Sequence, residues 1–421
     1  MDQTDSTTLL AYLQDVTDPR HKKGQSYEWC YLIALIAAAI ASGHKNVAAI
    51  AQWVHEHGIE LLAALNPAKG RLPSYATLRR VVMTIDIDAL EHQVALHNRD
   101  LDQDDHALGC LTGADGTVWR GQSVDGKDVR GASAHGATVH LVGMARHESG
   151  YVLQQVKVKD KSNEITAVPL LLRERAVAGT VTTMDALLTQ QSIAEQILAQ
   201  GGQYLMVVKK NQGNLWSAID LLFREPPTLV GDNDLLRIQQ KSKDHGRRET
   251  RTLESRIALN AYVNWPGVGQ VLRRTYHSVS TTTGKVRHEV TYGLSSLSRR
   301  QALPEHVEWF WRQHWTIENR DHYVRDDTMG EDRGQIHKGI RSTDARSLAE
   351  RRDRSHPLSR LDECGRSSAP LRFLTATSIA AHRSACNLKK PWDKGVASLD
   401  NLLELCYSKV RRTFAYRGSV G

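Results

Sequence analysis

Four side chains able to do acid–base, metal or phosphate chemistry recur at short intervals near the three-quarter point of the chain: His314, Glu318, His322 and Arg325. No Pro or Gly interrupts the sequence between Pro304 and Gly330, and Val307, Phe310, Trp311 and Trp315 fall at helical spacing, which predicts one long helix. Residues three and four apart are neighbours on a helix, so the four groups share a face. A single carboxylate among bases and aromatics has two readings. One is a solvated face with ordinary ion pairs. The other is a carboxylate presented from a helix to a metal that other residues also hold. Two upstream aspartates bear on the choice: Asp125, in Val124-Asp125-Gly126-Lys127, and Asp185, at the end of the apolar run Thr182-Thr183-Met184. Carboxylates at strand ends are where α/β sheets place their chemistry, although either aspartate alone reads equally well as a turn or cap residue.

These groups need elements to position them. The 421-residue chain is 40% hydrophobic, enough for two or three domains with their own cores. Lys and Arg number 55 against 47 Asp and Glu, and the net charge of +8 favours a polyanionic partner such as nucleic acid. Five scattered cysteines, Cys30, Cys110, Cys364, Cys386 and Cys406, suggest neither a zinc knuckle nor a disulfide framework, and fit a reduced cytosol. The polar, acidic start, Met1 to Thr8, is unlike a signal peptide, and the longest apolar run, Tyr27 to Ala41, contains Glu28 and reads as a buried helix rather than a membrane span.

Taken in order, Leu9 to Leu13, Tyr27 to Ser42, Val47 to His57, a segment capped by Ser74, and Asp86 to His97 predict an all-helical N-terminal domain over residues 1–105. The stretch from Asp15 to Gly24 reads as a basic turn. Pro73-Ser74 ahead of Thr77-Leu78-Arg79-Arg80 starts either a recognition helix for DNA or a plain surface helix with two arginines. The acidic run Asp100 to Asp105 marks the boundary. Beyond it, β-type runs at Thr138 to Ala145, Tyr151 to Val158, Thr180 to Met184 and Tyr204 to Val208 predict a mixed sheet covered by helices, an α/β fold that Val124-Asp125-Gly126-Lys127 opens.

The ordered motifs carry a resemblance. Asp125-Gly126-Lys127-x-x-Arg130-Gly131, then Lys161-Ser162-Asn163-Glu164-Ile165, Asp185-Ala186, Asn211-Gln212-Gly213, His245-Gly246-Arg247, Ser295-Ser296-Leu297 and His314-Trp315-x-Ile317-Glu318-Asn319 resemble transposases of bacterial insertion sequences, in the H-repeat-associated branch. The resemblance runs from about residue 10 to 339. It implies an RNase H-like catalytic domain over residues 106–340 with a β-rich insertion at about 216–300. It further implies a catalytic triad of Asp125, Asp185 and Glu318 that holds two Mg2+ ions, with Mn2+ as a substitute. The interval from Asp185 to Glu318 is more than twice that from Asp125 to Asp185, as the insertion requires. Lys127, Arg130, Lys209 and Lys210 are then expected to contact DNA phosphates, and His314, His322 and Arg325 to position the DNA. The expected partners are double-stranded DNA at the element's terminal repeats, target DNA and a second copy of the chain as a homodimer, in the bacterial cytoplasm at the nucleoid and not at a membrane. Asp115-Gly116-Thr117 resembles a second copy of the first motif but lacks its lysine, and Asp326 and Glu331 stand as alternatives to Glu318. The rival reading is a non-catalytic DNA-binding remnant.

The resemblance weakens at Asp327 and Met329, where the family has apolar residues, and ends after Ile340. Arg341 to Pro370 is rich in Arg, Ser and Asp and holds no helical period, so residues 341–421 read as an atypical basic tail. A one-nucleotide shift in codons available to Glu350 through Arg372 spells a segment resembling the missing family helix, which points to a frameshift near residues 339–341 and to impaired activity. Sequencing the encoding DNA checks this. Shifting frame near codon 340 should open a family-like C-terminus, whereas no such helix in any frame makes the tail a genuine variant domain.

Overall fold

The computed structural model describes residues 8–104, 110–129, 139–158, 164–173, 177–226, 234–244, 246–257 and 260–328. The tail at 341–421, with the frame change inferred there, lies outside the described residues.

The N-terminal helices form around one fully apolar element. α1 (Leu9–Gln14), α2 (Trp29–Ala41), α3 (Val47–Glu56), α4 (Gly58–Leu65), α5 (Tyr75–Thr84) and α6 (Ile87–Asp104) pack with α2 at the centre, where every residue but Cys30 and Ile40 is buried. The apolar run expected to be a core helix is therefore one, because it is apolar on all sides and has helices on all sides. Ser74 caps α5 by accepting from the Thr77 N–H. Among the described residues no helix is long and apolar enough to cross a membrane.

The acidic boundary turned out to be helical. α6 continues through Asp100 to Asp104, because Asp102 has a buried role that a linker reading misses. Its carboxylate accepts from Arg120 Nη2 at 2.8 Å and from Arg146 Nε and Nη2 at 3.1 and 2.8 Å. Asn98 Nδ2 adds a bond to Val152 O at 2.8 Å, so the last turns of α6 tie the helical domain to the sheet.

That sheet contains β1 (Leu111–Thr112), β2 (Val118–Val129), β3 (Val139–Arg146), β4 (Val152–Val158), β5 (Thr180–Met184), β6 (Gln203–Val208), β7 (Leu236–Asp244), β8 (Arg247–Arg256), β9 (Gln270–Ser280) and β10 (Val286–Ser295). The strand order is β4-β3-β2-β5-β6-β10-β9-β8-β7, with β1 beside β2. β2, β5 and β6 run parallel, and the remaining neighbours are antiparallel. α7 (Glu164–Arg173), α8 (Gln191–Ala199) and α9 (Gly213–Arg224) cover one face, α10 (Asn260–Val263) lies beside α9, and α11 (Pro304–Gln313) covers the other face. Alternation sorts the two cores: on β6, Tyr204, Met206 and Val208 face the first group of helices while Leu205 faces α11.

Three strands escaped the sequence reading, the two-residue β1 and the longer β7 and β8. β7 and β8 are rich in charged and polar residues, with only Leu253 of β8 in the core beneath α11. β7 is an edge strand, where such composition protects against further pairing. They belong to a β-rich insertion that does not form a separate body, since β10 pairs directly with β6 and extends the central sheet.

Removing the Asp102 carboxylate leaves two cations without their buried partner, a change that costs about 3–5 kcal/mol. Asp102→Ala should lower the urea midpoint accordingly. A loss below about 1 kcal/mol would mean that water solvates both arginines and that this tie is dispensable.

Candidate active site

Asp125 lies inside β2, not at its opening, because the strand begins seven residues earlier at Val118. Val124 is in register with Met184 on the parallel strand β5, so Asp125 and Asp185 are the next pair along the same two strands. Neighbouring strands lie about 4.8 Å apart. Equal positions in a parallel register send both side chains to one face. Each aspartate is partly used as a local cap. Asp125 Oδ1 accepts from the Gly126 N–H at 2.8 Å, and Asp185 Oδ1 accepts from Leu187 and Leu188 at 3.0 and 3.2 Å. The turn reading of both residues therefore holds for Oδ1, and Oδ2 of each lies outside these capping bonds.

Asn211 and Gln212 hold the loop that follows Asp185, by donating to Ala186 O and Thr189 O respectively. The Asn211-Gln212-Gly213 motif therefore acts on the shape of this loop.

The expected long helix is present but changes its winding. α11 ends at Gln313, and the chain continues as π-helix over Ile317–His322 and Val324–Thr328. π-turns inside helices widen the spacing and mark functional sites. α11 is fixed to the sheet by two contacts. Trp311 packs on Gly293 of β10, where a Cβ would come within 2.5 Å of the indole, and Arg274 of β9 forms a two-pronged ion pair with buried Glu308 at 2.8 and 2.7 Å.

A third contact is a hydroxyl hub absent from the sequence expectations. Thr183 Oγ1, two residues before Asp185, lies 2.9 Å from His314 Nδ1 and 3.0 Å from His147 Nε2, and donates to Gln122 O at 3.2 Å. With its proton on Gln122 O, the hydroxyl accepts from both rings, which sets both tautomers. Burial pushes the His314 pKa down to about 4 and that of His147 well below its ordinary value, so both are neutral near pH 7. The signal available beforehand was a pair of threonines inside an apolar strand, too common to single out.

Glu318, on the π-helical segment, lies within electrostatic reach of both aspartates. Burial and the Asp185 charge raise its pKa, while Lys209 opposes the rise. Asp125 responds most strongly, and burial followed by repulsion from Asp185, with further push from Glu318 and Glu164, lifts it to about 7. His322 Nδ1 sits 3.7 Å from Asp125 Oδ2, and burial lowers its pKa to about 4. The three triad residues predicted from sequence thus share one electrostatic field. Their oxygens do not crowd onto one point; among the described residues, the three-residue metal-spaced cluster within 4.8 Å is instead Asp128, His140 and Glu164 on β2, β3 and α7, and Asp128, three residues along β2 from Asp125, points to the other face of the sheet.

The predicted cationic groups divide. Lys209 and Lys210 are exposed after β6, with Lys210 over the Trp216 ring at 5.5 Å. Lys127 is buried and pairs with Asp326 at 2.6 Å, and Arg325 is 2% exposed beside Asp321 and Gln155. Arg130 and Glu331 lie outside the described residues. Asp326 is committed to Lys127. Exposed Asp115 accepts from the Thr117 N–H in the turn before β2, a bond that lowers its pKa.

With this geometry in place, the relatives become informative. The Transposase DDE domain family matches residues 108–347, more than half of the chain, and the DDE_Tnp_1-associated family matches residues 10–97. The chain belongs to the DDE transposases. Within them it sits in the H-repeat-associated branch. The YncI protein of Escherichia coli O157:H7 is 29% identical over 343 residues, covering 79% of this chain and 83% of that protein. The H repeat-associated YhhI protein of Escherichia coli K12 is 28% identical over 342 residues, covering 79% and 85%. A solved piggyBac transposase synaptic complex with hairpin DNA covers 98% of this chain and 82% of its own at 11% identity, with a TM-score of 0.42, too loose to bear on the fold. The transposase domain contains Asp125, Asp185 and Glu318, and its associated domain is the helical one around α2.

The raised Asp125 value has a sign that can be tested. Between the ordinary 3.8 and about 7 the folded protein keeps a proton that the unfolded chain gives up, so this group's contribution to stability falls as pH rises through that window and is constant above it. His314 and His322, held low, contribute the opposite slope in wild type and variant alike. The melting-temperature difference between Asp125→Asn and wild type should therefore shift in the variant's favour as pH rises from about 4 to about 7. A difference independent of pH would show that Asp125 is ionised throughout.

Proposed function

We propose that the chain is a transposase that cleaves and joins DNA strands at the ends of an insertion sequence, using divalent metal ions held by Asp125, Asp185 and Glu318. The observation that carries this reading is the convergence of one carboxylate from β2, one from the end of β5 and one from the π-helical segment into a single repelling field. The order β4-β3-β2-β5-β6, with three antiparallel strands followed by helix-linked parallel ones and the first aspartate on β2, supports an RNase H-like core.

The donor set fits hard divalent cations such as Mg2+, with Mn2+ as a substitute, since these prefer oxygen ligands. Cations would offset the mutual repulsion that raises Asp125. In a two-metal site such ions activate the attacking oxygen and stabilise the leaving one. The protein's own groups prepare the setting. His314, neutral and locked on Thr183, sets the angle at which the helix presents Glu318. His322 lies over Asp125, and Lys209 places a positive charge beside Glu318 where a phosphate would approach. Lys210 extends that exposed cationic edge, and Arg130 is proposed to do so from its sequence position. Lys127 and Arg325 act from inside: the Lys127–Asp326 pair holds the helix against β2, and Arg325, oriented by Asp321 on its own helix, donates to Gln155 of β4.

The decisive experiment compares wild type with Asp185→Asn on a duplex carrying the element's terminal repeats, with and without Mg2+. Cleavage should require Mg2+ and vanish in the variant while duplex affinity persists. Equal cleavage by both proteins would remove Asp185 from the site.

A further inference from the structure

The helical domain contains a cavity of about 620 Å3 that none of the catalytic machinery uses. Its walls come from three places distant in sequence: the basic turn at 20–27, the end of α3 at His55, and the segment 71–81 that leads into α5. Lys23, Arg71 and Arg80 line it together with Tyr27, Ser74 and Thr77, and no Asp or Glu does. All three cations are exposed, and among the described residues none has a carboxylate partner. Arg20 differs, because it is spent on the wall itself. It pairs with Asp18 through two bonds of 2.8 Å, donates to Tyr27 O at 2.7 Å and lies over the Trp29 ring.

Three uncompensated positive charges around one concavity repel one another, and a concave surface concentrates their field on whatever enters. An anion relieves that repulsion. The cavity also offers neutral donors at the first turn of α5, where Ser74 Oγ and Thr77 Oγ1 lie 3.2 Å apart. Three cations spread over this volume exceed the needs of one phosphate and suit successive phosphates of a strand. A base is a poorer fit. The Tyr27 ring is stacked against Tyr31 at 6.3 Å and lies beneath Arg71 at 5.5 Å, and its hydroxyl is committed to Leu72 O, so it offers no open platform for stacking.

We propose that this cavity is a DNA-backbone clamp, in which Lys23, Arg71 and Arg80 grip neighbouring phosphates of one strand and so give the associated domain a role in holding the DNA that the catalytic domain cuts. The identity of the polyanion as DNA rests on the transposase reading above. The assignment joins two weak sequence features, the basic turn and the Ser74-capped helix, which only the fold brings to one opening.

The test uses the full chain and a fluorescent duplex titrated at several salt concentrations. Each phosphate contact contributes a slope of about −0.9 in log affinity against log salt. Lys23→Ala/Arg71→Ala/Arg80→Ala should reduce the slope by about two to three and weaken binding at least about tenfold, and Arg80→Ala alone should reduce it by about one. Arg79→Ala, on the same helix but outside the cavity, should bind as wild type does, and Arg80→Lys should keep most of the slope. Matching thermal melts establish that the variants are folded. Wild-type slope and affinity in both the triple and the Arg80→Ala variants would overturn the clamp. So would binding of inorganic phosphate that the triple variant abolishes while duplex binding stays unchanged, which would make the cavity a small-anion site. Failure of the catalytic reading is separable: a wild type that binds duplex through the cavity but shows no Mg2+-dependent cleavage defeats that reading and leaves the clamp standing.

Discussion

Burial and like charge meet at Asp125, where Asp185 and Glu318 both push on one carboxyl, and strand register and helix anchors keep the three groups within that field. Asp125 shows the cost most clearly, because burial and the charges of Asp185, Glu318 and Glu164 lift its pKa to about 7. Left to itself, a chain would relax by moving one carboxylate into water. Here two lie on neighbouring parallel strands whose hydrogen-bond register fixes their spacing, and the third lies on a helix whose own anchors leave it little freedom. Positive charge placed there would relieve the repulsion on Asp125.

The helix is the element with the most to restrain, since it comes from the far end of the domain after the β-rich insertion. Its anchors are of three physical kinds. Trp311 over Gly293 is a close approach that only a missing side chain permits. Glu308 with Arg274 is a buried ion pair, strong in orientation and expensive to break. Thr183 with His314 and His147 is a neutral hydrogen-bond hub whose burial keeps both rings uncharged beside the carboxylates. Lys127 and Arg325 complete the hold from within. These two cations of the first and last motifs therefore serve the position of the helix, while Lys209 and Lys210 remain on the exposed edge.

Position also matters between the domains. Asp102, at the end of α6, carries two arginines of the sheet on one carboxylate, so the helical domain meets the sheet at a buried polar joint. That joint ties the helical domain, with its basic cavity, to the strand that carries Asp125, which is what a proposed clamp on the same DNA would need.

The sequence by itself determined the element types with strong local signals, and its ordered motifs named a candidate triad. α2 was legible because it is apolar all round, and β5 and β6 because they are short apolar runs; Asp125, Asp185 and Glu318 stand out only through the motifs that carry the resemblance. It did not reveal β7 and β8, whose composition answers to an exposed edge and leaves one main core anchor, Leu253. Nor did it show that the acidic run ending in Asp104 is helical, since the partners of Asp102 lie on strands that follow it by many residues. The tertiary structure alone decided which cations face outward, which histidines share the Thr183 hydroxyl, and where the π-helical turn sets Glu318. Each depends on burial and on contacts between residues far apart in the chain, and local pattern carries no record of either.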